Sequence, residues 1–302
     1  MRLKPQLVVA IGVVFTSLSA ILIRLSTAPP LAIATYRMLF TTLLVLPLFA
    51  IERSRSASRP TKRSAVLLSV ASGGFLALHF ALWITSLSYT SVASSTVLVT
   101  THPIIVALVG FLLLGERLSL RGVLSMLAAL GGSVMLVWGG FGNGASASYG
   151  NLLAFLGAAT VSGYMLLGSV VRRSLGVNTY TFIVYAVATV LLLGATVVTG
   201  TPLFPYSIRE LALFFGLAFI CTLLGHSLFS WALKYLKPTV ISTSILGEPV
   251  IASLLAMMLF GEVPSLSTLI GGAVILLSIF LFVRSEARTS RDPRASRPRP
   301  GA

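Results

Sequence analysis

Residues 102–122 read HPIIVALVGFLLLGERLSLRG, and residues 248–272 read EPVIASLLAMMLFGEVPSLSTLIGG. Each stretch opens on an ionisable side chain followed by proline, runs on through apolar residues and reaches Gly-Glu. Pro103, Gly115 and Glu116 recur as Pro249, Gly261 and Glu262 at one shared offset of 146 residues. His79 and His226 follow at 147, and Gly12 and Gly157 at 145. Proline removes a backbone donor and clashes with the turn before it, and a charge inside an apolar run is costly. An apolar composition does not by itself set such residues in register. The chain therefore reads as two copies of one unit.

Outward from these stretches the chain is apolar throughout. Of its 302 residues 56% are hydrophobic and 10% charged, with a mean hydropathy of +0.97. Soluble domains carry about 25% charged residues. Runs of about 20 apolar residues mark membrane spans, and ten are read: 7–23, 31–51, 65–87, 92–114, 122–138, 151–171, 179–199, 211–233, 239–260 and 265–283. Lipid offers the backbone no hydrogen-bond partners, so the spans are helices. The organisation is an all-α membrane protein of ten transmembrane helices. It comprises a first five-helix repeat over 1–141, a Gly/Ser-rich periplasmic connector over 142–150, a second repeat over 151–284, and a disordered basic cytoplasmic tail over 285–302. Ser17, Leu18, Ser19 and Ala20 after a basic start also suit a signal peptide. Cleavage there would leave an unpaired half-repeat, so the stretch is read as part of the first span.

With the N-terminus inside, 19 of the 22 Lys and Arg residues fall on the inner side. Arg24 and Arg209 fall outside, and Arg37 lies within the second span. This asymmetry places both termini in the cytoplasm and the protein in the inner (plasma) membrane. Five spans per repeat then force the second copy to insert upside down, a recurring transporter design.

The net charge of +15 lies in connectors and the tail and carries no nucleic-acid motif. The one cysteine, Cys221, cannot form an intrachain disulfide. No trio of His, Cys or carboxylates has metal-ligand spacing. There is no phosphate-binding loop, no HExxH or GxSxG, and no Asp before Asp292, which argues against nucleotide hydrolysis and membrane-embedded catalysis. No cofactor is expected.

The repeated residues resemble the drug/metabolite transporter superfamily in its ten-span branch with two EamA-like repeats. Pro103, Gly115 and Glu116 carry the likeness in the first copy; Glu248, Pro249, Gly261 and Glu262 carry it in the second. Arg37 also fits the family pattern, and the likeness spans about residues 7 to 284. The departure is His102, where the second copy has Glu248. The resemblance implies a ten-helix carrier with a central cavity, often an exporter of amino acids or other metabolites.

Arg37, His79, Trp83, His102, Tyr164, Tyr185, His226 and Glu248 are the candidate cavity residues. A carboxylate at mid-membrane should face a cavity or hold a proton. Histidine relays protons or hydrogen-bonds a solute. Arg37 offers a cation for a solute carboxylate or for Glu248, or snorkels to the surface. The plain alternative for each aromatic residue is helix packing. Pro103 and Pro249 are candidate hinges, freeing the carbonyls of Val99 and Ile245. Gly115 and Gly261 read as helix stops, with Glu116 and Glu262 tying repeat to repeat. The expected activity is secondary transport, as an exporter, of a small amphipathic solute such as a hydrophobic or aromatic amino acid, by a monomer or homodimer in the lipid bilayer. Glu248 and His102 are the candidates for proton coupling. A multidrug-type efflux carrier, a membrane-embedded enzyme and a channel are the alternatives.

Overall fold

The computed structural model describes residues 4–55, 62–90, 92–116, 118–136, 145–260 and 266–289. Among them every regular element is helical: α1 Pro5–Leu25, α2 Pro30–Arg55, α3 Arg63–Ser86, α4 Val92–Val99, α5 His102–Leu114, α6 Leu120–Leu136, α7 Ala145–Val171, α8 Val177–Val198, α9 Ile208–Gly216, a π-helical segment Leu217–His226, α10 Ser227–Ala232, α11 Pro238–Ile245, α12 Glu248–Phe260 and α13 Leu266–Thr289. Among the described residues, nine continuous or broken helices are long and apolar enough to cross a membrane. A further apolar helix, α6, has 17 described residues, which rise about 25 Å.

Two boundaries move from the predicted ones. The sixth helix begins at Ala145, so residues 145–150 belong to a helix and not to a connector. Ala-Ser-Ala-Ser-Tyr contains no helix breaker, and residues 137–144 lie outside the described residues. The last helix continues to Thr289, past the expected end at 284. Glu286 holds it there: its carboxylate accepts from Ser119 N (3.2 Å) and Lys237 Nζ (2.9 Å).

The fourth and ninth spans are each broken in the middle. Pro103 has no N–H to give Val99, and the chain tightens into three-residue turns, with Thr101 N bonded to Leu98 O at 3.2 Å and Ile104 N to Thr101 O at 3.1 Å. The ninth span tightens in the same way, through Leu246 N to Thr243 O (3.2 Å) and Gly247 N to Ser244 O (3.1 Å). The eighth span contains a feature with no sequence signal, the ten-residue π-helical segment. Its wider turn is seen in side chains that bond carbonyls five residues back: Thr222 Oγ1 to Leu217 O at 3.0 Å and Ser227 Oγ to Thr222 O at 3.3 Å.

Packing treats the halves alike. α3 lies along α7, and the π segment with α10 lies along α1; α2 packs on α8, and α6 on α13. Exchanging the two halves leaves this pairing unchanged. Close contacts repeat as well: a Cβ on Gly12 would stand 2.6 Å from the Phe229 ring, and one on Gly157 3.4 Å from Trp83 Cβ.

The described carboxylates stitch the halves together. Glu52 accepts from Thr179 N (2.9 Å), Thr179 Oγ1 (2.7 Å) and Asn178 N (3.3 Å) at the start of α8. Glu210 accepts from Thr27 N and Oγ1, both at 3.0 Å, and from Ser26 Oγ just before α2. Glu116 accepts from Thr239 Oγ1 in the first turn of α11. Burial pushes the Glu116 carboxyl above its ordinary range. Helix N-termini present unpaired N–H groups and a partial positive charge, which is why anions collect there.

Candidate functional site

Both broken helices deliver their polar residue to one internal cavity. His102 opens α5 and Glu248 opens α12, and both line it. Thr16 and Ser19 of α1, His79 and Trp83 of α3, Thr100 at the fourth-span break, Tyr164 of α7 and His226 of the π segment complete its polar wall. The cavity volume is about 50 Å³, room for a few waters and well below the ~300 Å³ of an ordinary ligand pocket. It is a contracted cavity.

The hydrogen bonds fix what this wall offers. His102 Nδ1 lies 3.0 Å from Val99 O, the carbonyl that Pro103 leaves without a donor. A carbonyl only accepts, so Nδ1 carries the proton and Nε2 of the neutral ring is a bare acceptor. That nitrogen is buried and unpartnered. His79 Nδ1 donates to Gly157 O at 3.0 Å, which leaves its Nε2 an acceptor as well. The His79 ring stacks on Trp83, 7° from parallel at 5.9 Å, and Trp83 Nε1 is a buried donor without a partner. Tyr164 Oη pairs with Ser230 Oγ at 2.8 Å. His226 packs against Phe80 and Phe229, with ring centroids at 5.5 and 6.0 Å. Glu248 accepts from Thr16 Oγ1 and is partly exposed to the cavity.

Two expected wall residues stand elsewhere. Arg37 is completely buried one layer behind. Its Nε donates to Thr222 Oγ1 and its Nη1 to Ser19 Oγ, each at 2.8 Å, and the guanidinium lies 4.2 Å from the Phe80 ring centroid. It touches the cavity wall at Ser19, keeps Nη2 unpartnered and, being fully buried, does not snorkel. Tyr185 is also buried in the core, its hydroxyl 3.0 Å from Ser227 Oγ. Packing on neighbouring helices takes both side chains away from the wall. Pro103 and Pro249 sit at the second residue of α5 and α12, at the two breaks. Gly115 stops α5 in the left-handed conformation, φ 66°, with its N–H on Gly110 O. Gly261 and Glu262 lie outside the described residues.

Sequence reading did not single out Thr16 or Ser19 as wall residues; Ser19 entered only within the stretch Ser17–Ala20 weighed as a signal peptide and read as part of the first span. The signal was there: hydroxyls three apart in an apolar helix share a face. Thr222 was missed because the π turn re-aims its helix.

The profile of the EamA-like transporter family matches residues 3–138 and 148–284, one repeat each. The chain belongs to the EamA-like transporter family. It is thereby a multi-pass membrane transporter of the drug/metabolite transporter superfamily, with two EamA repeats. The transporter is 23% identical over 287 residues to an uncharacterized transporter of Archaeoglobus fulgidus, covering 93% of this chain and 98% of that one. A second uncharacterized transporter of the same organism is 26% identical over 251 residues, covering 83% and 86%. A solved crystal structure, described only as that of a protein, superposes with a TM-score of 0.75 at 18% identity, covering 94% of this chain and 99% of its own. That likeness shows the shared fold.

Proposed function

We propose that the transporter is a secondary carrier that exports small amphipathic metabolites, such as hydrophobic or aromatic amino acids, across the inner (plasma) membrane. Its two five-helix halves are inverted relative to each other, both termini are cytoplasmic, and alternating access rocks the halves about Pro103 and Pro249. The observation that carries this reading is the convergence of six polar and aromatic candidates from both halves on one cavity at the two helix breaks. A volume of about 50 Å³ requires the halves to part before a solute of amino-acid size enters, and the breaks supply the compliance.

Counterflow in proteoliposomes tests it. A carrier shows stimulation of labelled-solute uptake by unlabelled solute on the far side; a channel shows none, and an enzyme returns an altered molecule. A carrier whose uptake no amino acid competes with would be a multidrug-type efflux carrier instead. Proton coupling through Glu248 and His102 is part of the proposal. It fails if Glu248→Gln and His102→Gln both leave the pH dependence of uptake unchanged. The functional unit is a monomer or a homodimer.

A further inference from the structure

We infer that the cavity anchors its solute by an ammonium group, held between the Glu248 carboxylate and His102 Nε2, and that a solute carboxylate adds nothing to the grip. The inference rests on the carrier reading above and names the substrate class of the same cavity: aromatic or hydrophobic amines, with amino acids accepted through their amino end.

The argument is an inventory of donors and acceptors. The described wall carries one carboxylate and no Lys or Arg. Arg37, the cation nearest the cavity among the described residues, gives Nε to Thr222 and Nη1 to Ser19, lies over the face of Phe80 and keeps Nη2 unpartnered. The hydroxyls of Thr100 and Tyr164 are already paired, with Thr96 O at 2.9 Å and Ser230 Oγ at 2.8 Å. His79 and His102 each spend their N–H on a backbone carbonyl and turn an acceptor to whatever remains. Trp83 Nε1 is a buried donor without a partner, the His226 ring in the wall brings one N–H when neutral, and Arg37 Nη2 behind the wall is unpartnered. A wall with a carboxylate and the bare acceptor nitrogens of His79 and His102 suits a group with several N–H bonds and a positive charge. A carboxylate brought to it would meet the like charge of Glu248, with the Arg37 cation held behind the wall. The rest of the wall is apolar, and Trp83, Tyr164 and Phe229 in it offer ring faces that take an apolar body and attract a cation.

The test uses three probes of one shape: 2-phenylethylamine, phenylalanine and 3-phenylpropionate. Calorimetric titration of the purified full chain measures binding, and counterflow in proteoliposomes measures transport. The amine is expected to bind at least about tenfold more tightly than the acid, and no more weakly than phenylalanine. Glu248→Gln is expected to weaken the amine at least about tenfold, whereas Glu248→Asp retains it. Tighter binding of 3-phenylpropionate, a clear preference for phenylalanine over the amine, or no amine binding at all overturns the inference. The wild-type series decides this even where a variant fails to fold. If the amine binds as expected but is not exchanged in counterflow, the ammonium site stands and the carrier reading falls.

Discussion

His102 and Glu248 hold corresponding places in two corresponding helix breaks, yet they do opposite things with their polar atoms. His102 turns back on its own helix and supplies the donor that Pro103 withholds from Val99. Glu248 reaches across to Thr16 in the other half and leaves its carboxylate partly exposed to the cavity. The repeat supplies a common scaffold: a proline, a tightened turn and a polar residue at the mouth of a half-helix. The side chain then decides whether that mouth is sealed or open. A symmetric frame with one sealed and one open break gives an asymmetric site.

The comparison breaks most sharply at Glu248. Glu248→Leu is expected to lower transport at least about a hundredfold with little loss of stability, because Thr16 keeps the carbonyls of Gly12 and Val13 at 3.1 Å as partners. His102→Leu leaves the Val99 carbonyl buried and unpaired, a cost of about 1–3 kcal/mol. It should therefore show first as a lower midpoint of thermal unfolding in detergent. If His102→Leu is as stable as the parent and inactive, the two breaks are functionally equivalent and the contrast is wrong.

The glycine pair sharpens the contrast in packing. Gly12→Ala drives a methyl to 2.6 Å from the Phe229 ring, while Gly157→Ala reaches only 3.4 Å from Trp83. The first should cost about 1–3 kcal/mol by overpacking and the second clearly less. Equal melting points for the two variants would show that the first half yields as easily as the second. A smaller effect is expected at the carboxylate clasps. Glu52→Gln and Glu210→Gln each remove a charged acceptor from a helix start in the opposite half and should cost about 0.5–2 kcal/mol. The smallest effect is at Glu116. Burial raises its carboxyl above the ordinary range, so the fold binds this proton more tightly than the unfolded chain does, and stability is lost as pH rises through the raised value. Melting across acid to neutral pH should show less of this decline in Glu116→Gln; an identical slope would remove Glu116 from the account.

The sequence by itself determined the helices, their approximate limits and the repeat. Apolar runs in lipid leave the backbone one way to satisfy itself, and Pro103 and Pro249 mark breaks because a missing N–H acts locally. Gly115 was readable for the same reason: a left-handed stop requires no neighbour. The cavity was half legible, since an ionisable residue at mid-membrane has few places to go, and six of the eight candidates do line one space. Only the tertiary structure decided the rest. It put Arg37 behind Ser19 and committed it to Thr222, a partner aimed by a π turn that no local propensity announces. It chose which imidazole nitrogen carries the proton through the positions of the Val99 and Gly157 carbonyls. It sent Glu52, Glu116, Glu210 and Glu286 to helix starts in the opposite half. Each of these is a contact between residues far apart in the chain, and such contacts depend on how helices pack, whereas sequence patterns report what each helix does alone.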